Sequence, residues 1–200
     1  MAFLLNEQSA PDADGDDPRI RRLIERLRNG PLAARQRALR QLVKLRAEPA
    51  LTICLADADV AVVGLATNGL WEIWLSEKGP TARRRLLAGV ELMEAGDYTD
   101  AEKIFLGLMA KYPKWAEAIN KQATLLYLRR QPAVSLVLCK QVVALKPNHF
   151  GAWHGMALCA VELADWITAL AAAETATRLQ PGTPVNREIL ELARTKLGYD

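Results

Sequence analysis

The sequence predicts an all-α protein: an α-α superhelix of stacked helical hairpins, with further hairpins on its N-terminal side and a capping helix at its C-terminal end. Three observations predict it. Pro113, Pro147 and Pro181 stand 34 residues apart, a spacing that matches a helix–turn–helix unit repeated along a chain. The segments 82–115, 116–149 and 150–183 align on that period without gaps, with Gly89, Ala123 and Ala157 in register, and likewise Ala101, Ser135 and Ala169. Outside the repeats, apolar residues recur at three and four places, as in Ile20, Leu23, Ile24 and Leu27, which puts them on one helix face.

Residues 1–17 carry Glu7, Asp12, Asp14, Asp16 and Asp17 among Pro11 and Gly15, without an amphipathic period; a flexible acidic tail is expected. Residues 18–80 form a basic block of helical hairpins. The first helix starts at Pro18, and Asn29-Gly30-Pro31 ends it and starts a second, striped by Leu32, Leu39, Leu42, Val43 and Leu45. Glu48-Pro49 breaks that helix. A short helix near 50–56 follows, and Asp57-Ala58-Asp59 leads into a long one that buries Val63, Ala66, Leu70, Ile73 and Trp74. Gly79-Pro80 closes the block.

Each repeat divides at a turn: Ala95-Gly96-Asp97-Tyr98, Arg130-Gln131-Pro132 and Ala164-Asp165-Trp166. The recurrent prolines end the second helices, because the residue before a proline is pushed out of the helical region. Small residues stand where the two helices of a hairpin cross; a larger side chain there would overpack the crossing at a cost of about 1–3 kcal/mol. After Pro184 a final helix, within 184–200, sets Ile189, Leu190, Leu192, Ala193 and Leu197 against Arg187, Glu188, Glu191, Arg194 and Lys196. Such a helix caps the open apolar end of a stack, and the N-terminal hairpins would cover the other end.

The run Ala95-Gly96-Asp97-Tyr98-Thr99-Asp100-Ala101-Glu102, closing at Tyr112-Pro113-Lys114, resembles the tetratricopeptide repeat (TPR) family, and the resemblance extends over all three ungapped copies. The second copy departs from the family pattern at Ser135 and Cys139, the third at Ala173. The stretch Asp57-Ala58-Asp59-Val60-Ala61-Val62-Val63 resembles, more weakly, the turn of a HEAT repeat without its arginine; a generic helical cap is the other reading. The TPR resemblance implies a binding scaffold whose first helices line a concave groove. Carried over residue by residue, that face holds Arg83, Leu86, Val90 and Met93, then Glu117, Asn120, Thr124 and Tyr127, then His154, Leu158, Val161 and Glu162, with Gly151 leaving space. The expected partner is a peptide or helix of another protein held by Leu86, Val90, Met93, Asn120, Thr124, Tyr127, His154 and Leu158. Some family members grip a C-terminal carboxylate with converging basic and asparagine side chains. The matching positions are Leu86, Val90, Lys121, Gly151 and Gly155, which lack the donors a desolvated carboxylate requires.

Composition narrows the alternatives. Lys and Arg number 26 against 23 Asp and Glu, a net charge of +3, too little to imply nucleic-acid binding by itself. The charge is unevenly spread: Arg19, Arg22, Arg26, Arg35, Arg37 and Arg40 belong to a basic patch that could meet RNA or another anionic surface, though no aromatic residue is interleaved to stack on bases; a solvated helix face is the alternative. A structural or assembly-factor subunit of a larger complex is a further alternative. Cys54, Cys139 and Cys159 have no metal-ligand spacing and read as reduced core residues. His149 and His154 are off the i, i+4 spacing of a helical metal pair. With no nucleophile elbow, phosphate loop or dinucleotide fingerprint, no catalytic, metal or cofactor site is expected. Trp71 and Trp74 share a helix face and are expected to seal the junction to the first repeat. No apolar run reaches the roughly 20 residues of a membrane span. The expected location is the cytoplasm, or the stroma or matrix of an organelle if a transit peptide has been removed.

Overall fold

The structure is a computed structural model that describes residues 17–199; the acidic segment 1–16 lies outside the described residues. Among these, every regular element is helical. Helices α1 (Pro18–Asn29) and α2 (Leu32–Lys44) form a hairpin. The short α3 (Glu48–Ile53) runs into a 3-10 turn (Cys54–Ala56), and α4 (Val60–Leu75) follows. Then come α5 (Gly79–Glu94) with α6 (Tyr98–Lys111), α7 (Ala116–Leu128) with α8 (Pro132–Leu145), and α9 (Phe150–Glu162) with α10 (Trp166–Leu179), each packed as a pair. Helix α11 (Pro184–Leu197) covers α9 and α10.

The 34-residue period reaches the backbone itself. Gly96, Arg130 and Ala164 occupy one register position and all have positive φ, 84°, 61° and 53°. At each, the helix ends in a Schellman motif: Asp97, Gln131 and Asp165 donate their N–H to the carbonyls of Leu92, Leu126 and Ala160 at 2.9 Å. Between repeats, Tyr112, Lys146 and Gln180 each leave the helical region just before the recurrent proline. Inside the hairpins, a Cβ on Gly89 would lie 2.6 Å from the Phe105 ring. Ser135 keeps the close crossing of α7 and α8 and turns its hydroxyl to use, donating to the Ala123 carbonyl at 2.7 Å.

Three local expectations are corrected. Gly79-Pro80, expected to close the N-terminal block, belongs to the first turn of α5: Gly79 adopts φ 83° and Pro80 suits a first helical turn. Glu48-Pro49 likewise begins α3. On α4, Val62 is fully buried while Val63 is half-buried, so the buried stripe starts one residue earlier.

The largest difference concerns the N-terminal helices. They reach well beyond the first repeat, which α4 meets through Leu75 and through Glu72 paired with Arg83. Their core, built on Leu27, Leu42, Leu51, Leu70 and Trp74, includes Phe150 of α9 and has Leu179 of α10 packed against it. Helix α4 therefore runs along the edge of the stack where the inter-repeat turns lie. Trp74 meets the turn before α7, Trp71 and Trp74 the turn before α9, and Thr67 the turn after α10, where Gln180 donates to its hydroxyl at 3.4 Å.

Candidate functional site

The first helices of the three repeats, α5, α7 and α9, pack in succession, and α4 lies against α7 and the turns before α7 and α9. The side chains there interlock. His149 Nδ1 accepts the Ala152 N–H at 3.1 Å and so caps α9. That acceptor role leaves the proton on Nε2, which donates to Glu117 at 3.0 Å. Lys121 Nζ lies 2.9 Å from the other Glu117 oxygen as an ion pair. Glu117 and His149 are wholly buried. Burial pushes the Glu117 carboxyl up, but the His149 hydrogen bond and the Lys121 charge outweigh it and hold the group below its ordinary range.

Aromatic rings close this network from the α4 side. Trp74 stacks on His149 with centroids 4.4 Å apart, and Lys121 Nζ sits 4.9 Å from the Trp71 ring centroid. A Cβ on Gly151 would come 2.9 Å from Trp71, so Trp71 fills the space that glycine leaves. The Trp74 Nε1–H donates to Glu48 at 2.9 Å, and Lys146 pairs with the same carboxylate at 2.8 Å. The Trp115 Nε1–H donates to the Trp74 carbonyl at 2.9 Å. Trp71 and Trp74 thus join the N-terminal helices to the second and third repeats, beyond the junction to the first.

The residues expected to line the groove separate into a floor and an accessible wall. Leu86 is 0% exposed, Met93 8% and Asn120 6%; all three are packed beneath the surface. Val90, Tyr127 and Leu158 are half-buried, and Thr124 is exposed. His154 is half-buried and committed to α11, with Nδ1 2.7 Å from the buried Asn186 side-chain oxygen. Arg83 pairs with Glu72 of α4 at 2.9 Å. Burial first, and then the neighbouring Glu162 carboxylate, raise the Tyr127 phenol above its ordinary value. The accessible wall therefore lies toward the C-terminal halves of α5, α7 and α9. Among the described residues no group of three or more His, Cys, Asp or Glu could hold a metal ion.

Of the expected basic patch, Arg19, Arg22, Arg26, Arg37 and Arg40 are exposed, while Arg35 is drawn 2.7 Å from Asp59. The residues missed by sequence reasoning are Glu117 and His149 as a buried pair, and Glu48. One signal for them exists: His149 holds the register position of Trp115 and Thr183, and it alone of the three accepts a capping hydrogen bond.

The class of protein this defines is a TPR-type helical solenoid, and solved structures bear that out. The first TPR of Spaghetti (RPAP3), solved bound to the HSP90 peptide SRMEEVD, matches with a TM-score of 0.56 at 19% identity, over 58% of this chain and 93% of that one. The TPR2B domain of yeast Sti1, in complex with pHsp70, gives 0.51 at 19% identity over 60% and 98%. MamA from Desulfovibrio magneticus RS-1 gives 0.54 at 20% over 78% and 86%. At these identities the likeness carries the fold. No protein-family model matches the chain, and no curated protein sequence does. Among the described residues, no helix is long and apolar enough to cross a membrane.

Proposed function

We propose that this chain is a non-catalytic protein-interaction scaffold that holds a helix or short peptide of another protein in the open part of its concave face. Val90, Thr124, Tyr127 and Leu158 make the contacts, Leu86, Met93 and Asn120 form the floor, and His154 fixes α9 against α11. The observation that supports this reading is that Trp71 packs on Gly151 near the start of α9, whereas Val90, Tyr127 and Leu158 are half-buried and Thr124 is exposed on the later turns of α5, α7 and α9. Burial of that wall supplies the affinity, at about 25 cal/mol per Å² before ordering costs.

Two solved neighbours are complexes, one with an HSP90 peptide and one with pHsp70, which supports peptide binding by this fold. It does not extend to a terminal carboxylate here. Of the positions that would grip one, Leu86 is buried, and Trp71 packs on Lys121 and Gly151. The segment bound by this chain is therefore read through its apolar side chains. A second reading, a structural or assembly-factor subunit, is favoured by the outer face of α8, where Val134 and Val137 are 51% and 63% exposed.

The test is affinity capture from the native source with wild type and Tyr127→Ala. Loss of the captured protein from the variant, at unchanged melting temperature, is expected. Equal capture by both would remove the groove from the account.

A further inference from the structure

We propose that the outer face of the α1–α2 hairpin docks the phosphate backbone of a double-stranded nucleic acid. Cations stand on it in two rows of one spacing. Arg19, Arg22 and Arg26 lie on α1 at i, i+3 and i+7; Arg37, Arg40 and Lys44 repeat that spacing on α2; all six are exposed. At 1.5 Å rise per residue, each row is about 10 Å long with one charge per turn. Ile20, Leu23 and Leu27 anchor α1 in the core and Ala38 and Leu42 anchor α2, while the six cations stay exposed beside them.

The carboxylates that could neutralise this face are engaged elsewhere. Asp57 binds Arg28 and Asp59 binds Arg35, both at 2.7 Å. Glu48 binds Lys146 at 2.8 Å, and Glu72 binds Arg83 at 2.9 Å. Asp17 accepts the Arg19 backbone N–H as the cap of α1. Within α1 and α2 the one carboxylate is Glu25. Among the described residues none of the six cations has an ion-pair partner, so the net charge of +3 for the whole chain understates the field at this face.

The residue types select the partner. Five of the six are arginine, whose fork matches phosphate oxygens two at a time. A lipid surface would also take apolar or aromatic anchors, but the exposed Leu32 lies off the rows and no aromatic residue occurs from 17 to 59. That same absence removes stacking on unpaired bases. What is left is a regular array of phosphates, bound without sequence preference. The face lies apart from the concave groove, so either proposal can fail alone.

The experiment is a fluorescence-anisotropy titration of the full chain against labelled DNA and RNA duplexes about 20 base pairs long, between about 50 and 200 mM salt. Contact with about six phosphates gives a log–log salt slope near −5. The quadruple variant Arg22→Gln, Arg26→Gln, Arg37→Gln, Arg40→Gln is expected to bind at least tenfold more weakly, with a slope shallower by about 3–4, at unchanged melting temperature. Lys140→Gln, on the exposed side of α8, is expected to bind like wild type. The proposal is overturned if duplex binding is absent at the lowest salt or unchanged in the quadruple variant. Binding to phosphatidylserine vesicles in place of duplexes would also overturn it. So would duplex binding that emerges only after residues 1–16 are removed, which would assign the face to the chain's own acidic segment.

Discussion

At the scale of single residues, the turns and the buried pair make separate demands on the side chain. Ala164 sits at φ 53° with no side-chain partner, in the register position that Gly96 fills in the first repeat. An L-residue in that conformation is strained, and glycine is not. Ala164→Gly is therefore expected to stabilise the protein by about 0.5 kcal/mol, less than the full strain because glycine also loosens the unfolded chain; a denaturant melt reads this. Glu117 behaves oppositely. Its folded carboxyl is held below the ordinary value of 4.5, so its contribution is complete above that value and disappears as pH falls through it toward the folded one. Wild type should lose stability faster than Glu117→Gln as pH drops below about 5, and at neutral pH the variant should be weaker by about 3–5 kcal/mol, as for any buried pair missing one partner. Parallel pH profiles of the two proteins would contradict this.

At the scale of elements, α4 decides how the molecule is built. Its apolar positions repeat well enough to announce a helix, and the helix is there. Its neighbours were not legible. Thr67 meets Gln180 and Glu48 meets Lys146 across gaps of 113 and 98 residues, and no local pattern encodes which distant turn a tryptophan will touch. The repeats were legible for the opposite reason: each hairpin closes within one 34-residue period, so spacing, small residues and turn chemistry all report the same local contacts. The groove was legible in part. The family pattern proposes its positions, but Leu86, Met93 and Asn120 are buried, because depth depends on what packs from the far side. Trp74→Ala should cost about 3–5 kcal/mol, since the Trp74 ring is fully buried, stacks on His149 and donates to Glu48. A thermal melt is the measurement, and a loss below 1 kcal/mol would mean that α4 is not a structural strap.

At the scale of the whole molecule, the chain departs from a simple stack in which each repeat touches only its neighbours. One helix ties the second and third repeats and the turn after α10 to the N-terminal core, so the curvature of the concave face is fixed from outside the repeats. For the proposed function this means a groove preformed before its partner arrives, which reduces the ordering cost of binding. Amide hydrogen exchange of the chain with its captured partner tests this most directly. New protection is expected in residues 86–94, 120–128 and 154–162, with none on the outer face of α8. Protection confined to α8, or to the α1–α2 hairpin, would contradict the account.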